Sequence, residues 1–308
     1  HRLHRAPDVS RLCFLSRIFR NRQEKIMGQD VFEEVRSGDS PSKGEPSSKP
    51  TIFDPFGRVA IRLNNNLGAV VIFFLRAFVM IFRIKQVPEI LQQIYFIGAR
   101  SASIVMLVGL FTGMVMGLQL YYVLIKFGSA GVLGTAVSLS LIRELGPVLT
   151  AIMITARAGS AMTAEIGIQR ISEQIDALQT MRVDPLGYLV SPRIAAGLIS
   201  FPILTAFFDL VGIMGGWFSG CLLLGVNSGS YFYRVVSSTQ FEDIRGGFIK
   251  ALVFSILVIT ICCFQGFFTH MRSDGHGARG VSLSTTSAVV LSCVMILVAD
   301  YVVTSFIL

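Results

Sequence analysis

Five long apolar runs, separated by short polar stretches, dominate the pattern of this chain. The first, residues 102–125 (ASIVMLVGLFTGMVMGLQLYYVLI), contains no charge. As a helix it rises roughly 36 Å at 1.5 Å per residue, enough to cross a hydrocarbon core of about 30 Å. Further runs at 135–158, 194–224, 247–268 and 281–308 have the same character. The pattern predicts an all-α polytopic membrane protein with about five transmembrane helices. Two glycine series stand out: Gly109, Gly113 and Gly117 in the first run, and Gly212, Gly216 and Gly220 in the third. Each strips one helix face to backbone, so helix packing by close approach is expected there.

Two amphipathic patterns accompany the spans. At 100° per residue, Arg58, Arg62, Asn65, Arg76 and Arg83 share a band roughly 60° wide, with Val70, Val71, Phe73, Phe74, Phe78 and Ile81 over much of the rest. This predicts an interfacial amphipathic helix over 55–85, arginines toward lipid phosphates; a short sixth span, Leu67 to Phe82, is the alternative. Between the second and third spans, Arg157 and Arg193 bound a polar connection. There Ile168, Ile171, Ile175 and Leu178 follow helical spacing with Arg170, Glu173, Asp176 and Gln179 on other faces. A short helix ended by the Val183–Pro185 turn is expected, either packed on its own bundle or docked in a partner's groove. Residues 225–246 read as a loop on the opposite side, with room for a short surface helix.

Charge distribution sets the orientation. Of 27 Lys+Arg, 16 fall in residues 1–100, against 19 Asp+Glu in the whole chain. Flanking apolar segments as they do, these cations fit the positive-inside rule better than nucleic-acid binding and place the N-terminal side in the cytoplasm. Residues 1–54, rich in Arg and then in Ser, Pro, Gly and Lys, cannot build a core and read as a disordered extension. Within it, residues 1–26, ahead of Met27, fit a plain tail, upstream sequence or a targeting peptide. The five cysteines (13, 221, 262, 263, 293) have no disulfide or metal spacing and read as packing residues.

The chemistry worth following lies inside the second span, in LIRELGPVLTAIMITARAGSAMTAEIG (141–167). Arg143 and Glu144 sit side by side in an apolar helix, and intramembrane charges are expensive enough to need a reason. Pro147 has no N–H for the carbonyl of Arg143, so a kink and a freed carbonyl are expected beside them. Carbonyl and charges together must face protein or water. Asp209 in the third span and Asp300 in the last are further intramembrane carboxylates. No GxxxxGK[ST] loop occurs, so the chain has no phosphate-binding motif for hydrolysing ATP and is expected not to be an enzyme itself. Ser160 near a span end lacks a histidine base within any span. His270 and His276, six apart, lack a third metal ligand. An ion-coupled secondary transporter of an amphipathic substrate remains the alternative class, although no internal repeat is visible.

The blocks GMVMGLQLYYVL (113–124), SLIRELGPVLTAIMITARAGSAMTAEIG (140–167), EQIDALQTMRVDPLGYLVSPR (173–193) and GIMGGWFSG (212–220) together resemble the MlaE/YrbE family of ABC-transporter permeases. The resemblance runs in order over residues 55–308, which it marks as one permease domain. It implies a homodimer that moves phospholipid between the inner membrane and an MCE-domain carrier, toward or from the outer membrane. Cytoplasmic ATPase subunits would bind the ATP and Mg, and a small STAS-type regulatory subunit is a further candidate partner. By position it implies cavity or lipid contact for Tyr121, Arg143, Glu144 and Pro147. It also implies coupling to the ATPase through the segment 165–185, with Glu165, Arg170, Glu173, Asp176 and Asp184. The expected location is a bacterial inner membrane, or alternatively a plastid inner envelope.

Overall fold

The computed structural model describes residues 87–271 and 277–307, all within one compact unit, Val70–Leu308. The extension 1–54 and the amphipathic stretch 55–85 fall outside the described residues. Every regular element among those described is helical. Five rods are long and apolar enough to cross a membrane: Val87–Lys126, Ala130–Ile171, Pro185–Leu223, Phe241–Phe267 and Ala278–Phe306.

The rods are longer than the apolar runs and are interrupted by π turns. The first joins α1 (Val87–Ile94), a π turn (Tyr95–Ala99) and α2 (Arg100–Lys126). The second joins α3 (Leu133–Ser140), a π turn (Leu141–Leu145), α4 (Gly146–Ile154), a second π turn (Thr155–Gly159) and α5 (Ser160–Ile171). The helix therefore continues beyond the expected span end at 158, to Ile171. Arg157 donates to Phe96 O at 2.8 Å and to Ser101 Oγ at 2.9 Å, and no proline follows to break the helix before Ile171.

The connection that follows differs from the single amphipathic helix expected. It is two short helices, α6 (Gln174–Thr180) and α7 (Pro185–Leu189). Ile168 and Ile171 belong to the end of α5 and are exposed, whereas Ile175 of α6 is buried and Leu178 packs on the core. The break is at Glu173, whose φ of 59° is left-handed, a conformation that costs a non-glycine residue about 1–3 kcal/mol. The third rod is α8 (Ser191–Trp217) ending in a π turn (Phe218–Leu223). A surface helix, α9 (Ser228–Ser238), then precedes α10 (Phe241–Phe267) and α11 (Ala278–Ile307).

The fourth rod starts at Phe241, six residues before the expected 247, because a capping box begins it. The Gln240 side chain and the Asp243 carboxylate each take a backbone N–H at the helix start, Asp243 Oδ2 accepting from Gln240 N at 3.0 Å. The bundle core runs through this rod, 61% of whose most apolar stretch is buried; in the fifth rod the share is 11%.

Glycines bring α2 onto α8. A Cβ on Gly113 would lie 2.6 Å from the carbonyl carbon of Gly212, on Gly109 2.9 Å from Phe208 O, and on Gly117 3.0 Å from Gly216 O. The first series thus meets the third rod along its length. The second series does so only in part: Gly212 faces Gly109, but Gly216 also faces Tyr231 and Val137, and Gly220 faces Leu133 of α3. A four-residue repeat advances about 40° round a helix per step, so by Gly220 the stripe has turned toward α3. Gly215, outside the series, takes the vacated place beside Met114 N at 3.1 Å.

Candidate functional site

The carbonyl that Pro147 leaves without a backbone donor has a partner from another rod. Lys250 Nζ of α10 donates to Arg143 O at 2.9 Å and to Glu144 Oε2 at 2.5 Å. It also pairs with Asp300 Oδ1 of α11 at 3.0 Å. This lysine, its side chain 3% exposed, is thus buried among two hydrogen-bond acceptors and a second carboxylate. Glu144 completes its own set by accepting from Thr304 Oγ1 at 3.4 Å. Arg143 turns the other way, with Nε and one terminal nitrogen each 2.7 Å from Asp243 Oδ1. Because Asp243 Oδ2 also caps α10, the acceptor that holds Arg143 is itself fixed.

Arg143, Glu144, Asp243, Lys250 and Thr304 line a cavity of about 740 Å³ together with Leu139, Ser140, Gln240, Glu242, Arg245, Gly246, Gly247, Ile249 and Phe306. That is within the range of about 300–1,000 Å³ typical of ligand pockets. The Arg143 side chain is 49% exposed there and Asp243 only 8%. The guanidinium thus keeps free donors toward the cavity, while the Lys250 ammonium is buried. Arg245 pairs with Glu242 at 2.5 Å at the rim.

Of the residues singled out from the sequence, Arg143 and Glu144 meet in this cavity. Pro147 is buried behind it, and Tyr121 of α2 packs on the core and edge-on to Tyr122 at 5.9 Å; neither lines the cavity. Asp209 lies against Gly146, its Oδ1 without a partner among the described residues. Asp243, within the stretch read as a loop, and Lys250, within the expected fourth span, were not singled out from the sequence and are two of the holding residues.

The Permease MlaE family matches residues 90–306. The chain belongs to this family. The permease is 43% identical over 222 residues to the intermembrane phospholipid transport system permease protein MlaE of Haemophilus influenzae, covering 72% of this chain and 83% of that one. A probable ABC transporter permease protein of Rickettsia bellii is 38% identical over 254 residues, 82% and 96% of the two chains. The chloroplastic protein TRIGALACTOSYLDIACYLGLYCEROL 1 of Arabidopsis thaliana is 34% identical over 216 residues, 70% and 60%.

The remaining singled-out residues of the permease gather at the far end of the second rod. Between Arg143 and Ile171 the helix climbs roughly 42 Å, which separates them from the cavity. Glu165 pairs with Arg193 of α8 at 2.8 Å. Arg170 pairs with Asp176 of α6 at 2.6 Å, lies on His270 at 3.0 Å, and stacks over Phe267 at 5.6 Å. Asp184 caps α7 by accepting from Leu186 N at 3.1 Å. Four of the five are therefore bound within the permease itself. Glu173, exposed at the left-handed break, has no ion-pair partner among the described residues.

Proposed function

We propose that this permease is the membrane subunit of an ABC transporter that moves phospholipids between membranes. The observation that carries the reading is the half-exposed Arg143 guanidinium. It is pinned by Asp243 yet open to the cavity, in a chain whose relatives include a permease of intermembrane phospholipid transport. A phosphodiester is the anion such a fork of donors suits. Lys250 and Glu144 hold the helix carrying Arg143 in place and leave ligand contact to it.

The working unit is a homodimer. Separate ATPase subunits bind ATP and Mg and drive the junction from α5 to α7. An MCE-domain protein exchanges lipid on the cavity side, and a small STAS-type subunit joins the ATPase. The membrane is a bacterial inner membrane, the N-terminal side cytoplasmic. The permease performs no covalent chemistry.

The test is Arg143→Gln in the assembled transporter. A charge-assisted hydrogen bond contributes about 1.5–3 kcal/mol, so lipid transfer and lipid co-purification should fall roughly tenfold or more at unchanged assembly. Transfer equal to the parent's would refute phosphate contact at Arg143, and activity of a monomer without an ATPase would overturn the transporter class.

A further inference from the structure

At the end of the bundle away from the cavity, two arginines share one aromatic ring. The guanidinium carbons of Arg100 and Arg157 lie 6.0 and 5.6 Å from the centre of the Phe96 ring. Phe96 and Arg157 each sit on a π turn, Tyr95–Ala99 and Thr155–Gly159. These wide turns are frequent at functional sites and aim both side chains into one corner. Arg157 is locked there by its bonds to Phe96 O and to the buried Ser101 Oγ. Neither arginine forms an ion pair among the described residues.

The depth of the pair names its surroundings. Residues 101–125 of α2 are uncharged and rise roughly 37 Å, so Arg100 stands at headgroup level when α2 spans the bilayer. Tyr95, 63% exposed, stands beside it, as aromatic residues do at that depth. From Arg100 an exposed apolar stripe climbs the same face at helical spacing, Ile104, Leu107 and Phe111, 39%, 56% and 56% exposed. Two unneutralised cations at the foot of an apolar track fit a lipid better than a soluble anion, since the track serves an acyl chain.

We propose that Arg100 and Arg157, around Phe96, bind the phosphate of an anionic phospholipid in the leaflet on the α6–α7 side. The site is separate from the Arg143 cavity and does not depend on that cavity's function. The bound phosphate neutralises the pair and ties the first rod to the second where the latter leaves the bilayer.

The test is native mass spectrometry of the full-length protein in its complex, released from mixed phosphatidylglycerol and phosphatidylcholine micelles. Arg100→Gln is the clean variant because this side chain makes no hydrogen bond or ion pair within the described fold. One arginine near a membrane surface corresponds to about fivefold in binding. Retained phosphatidylglycerol should fall by that factor in Arg100→Gln and further when Arg157→Gln is added. Arg100→Lys should restore it, and the same fall should recur when Arg100→Gln is made in the Arg143→Gln background. Equal retention in parent and Arg100→Gln, equal loss of phosphatidylcholine, loss of a second copy in place of lipid, or displacement by excess inorganic phosphate would each overturn the proposal.

Discussion

Lys250→Met is the sharpest perturbation of the charge cluster. It preserves the stem of the side chain and deletes an ammonium that holds Glu144, Asp300 and the Arg143 carbonyl at 2.5, 3.0 and 2.9 Å. Two carboxylates are then left facing one another in an apolar bundle. Removing one partner of a buried ion pair costs about 3–5 kcal/mol. Glu144 is 44% exposed and screened by water in the cavity, so the lower end, about 3 kcal/mol, is expected. That is roughly a hundredfold rise in the unfolding equilibrium constant. Adding Glu144→Gln and Asp300→Asn should restore most of it, because neutral amides need no counter-charge. Reversible denaturant unfolding in micelles of all combinations measures the coupling. The reasoning is refuted when Lys250→Met costs under about 1 kcal/mol, or when the separate costs add to within about 0.5 kcal/mol.

Three further outcomes follow. Gly113→Ala should cost about 1–3 kcal/mol by forcing α2 off the Gly212 backbone, whereas Gly131→Ala, with open space around it, should stay within about 0.5 kcal/mol; thermal melts compare them. At the junction, partial desolvation and then the Arg170 charge hold His270 below the ordinary histidine value of 6.5. Its stabilising effect is complete above that value and is lost as pH falls through the lowered one, so acid should loosen the parent and leave His270→Gln flat in a pH series of melts. For the ATPase contact, Glu173→Lys should abolish ATPase co-purification with an unchanged melt. Glu173→Gly should raise stability by up to about 1 kcal/mol, since glycine tolerates the left-handed backbone; retention of the ATPase by Glu173→Lys would remove Glu173 from the docking surface.

Much of the bundle was legible because the bilayer imposes a simple rule: uncharged runs become spans. The freed Arg143 carbonyl was legible too, since a proline four residues on removes its donor whatever the fold. Its partner was not. Lys250 stands near the start of an apolar run and reads as a flanking charge until the helix start is known. The pairing of Gln240 with Asp243 three residues on was the missed signal; it moves the start to 241 and carries Lys250 more than two turns inside. Gly215 was missed because a strict four-residue series ignores the drift of a 3.6-residue helix. The break at Glu173 had no local signature, neither glycine nor asparagine, and is held by tertiary contacts that bury Ile175 while leaving Ile171 outside.

The cluster also constrains how the two ends of the permease communicate. Arg143, Glu144, Arg157, Glu165 and Arg170 all lie on one continuous rod, Ala130–Ile171, and each is held by a different neighbour: Asp243 and Lys250 of α10, the Phe96 carbonyl, Arg193 of α8, and Asp176 of α6. A rod fixed at so many heights cannot slide or rotate at one end alone without breaking a buried charge pair. Within it, the π turns at 141–145 and 155–159 are the places where the regular ladder is already interrupted, and so the least costly places to bend. A force applied at the junction therefore reaches Arg143 either as a rigid displacement that opens the Lys250 cluster, or as a bend at 155–159 that moves Arg157 against Phe96. The second route leaves the cluster intact, and it passes through the arginine pair proposed to hold a lipid phosphate.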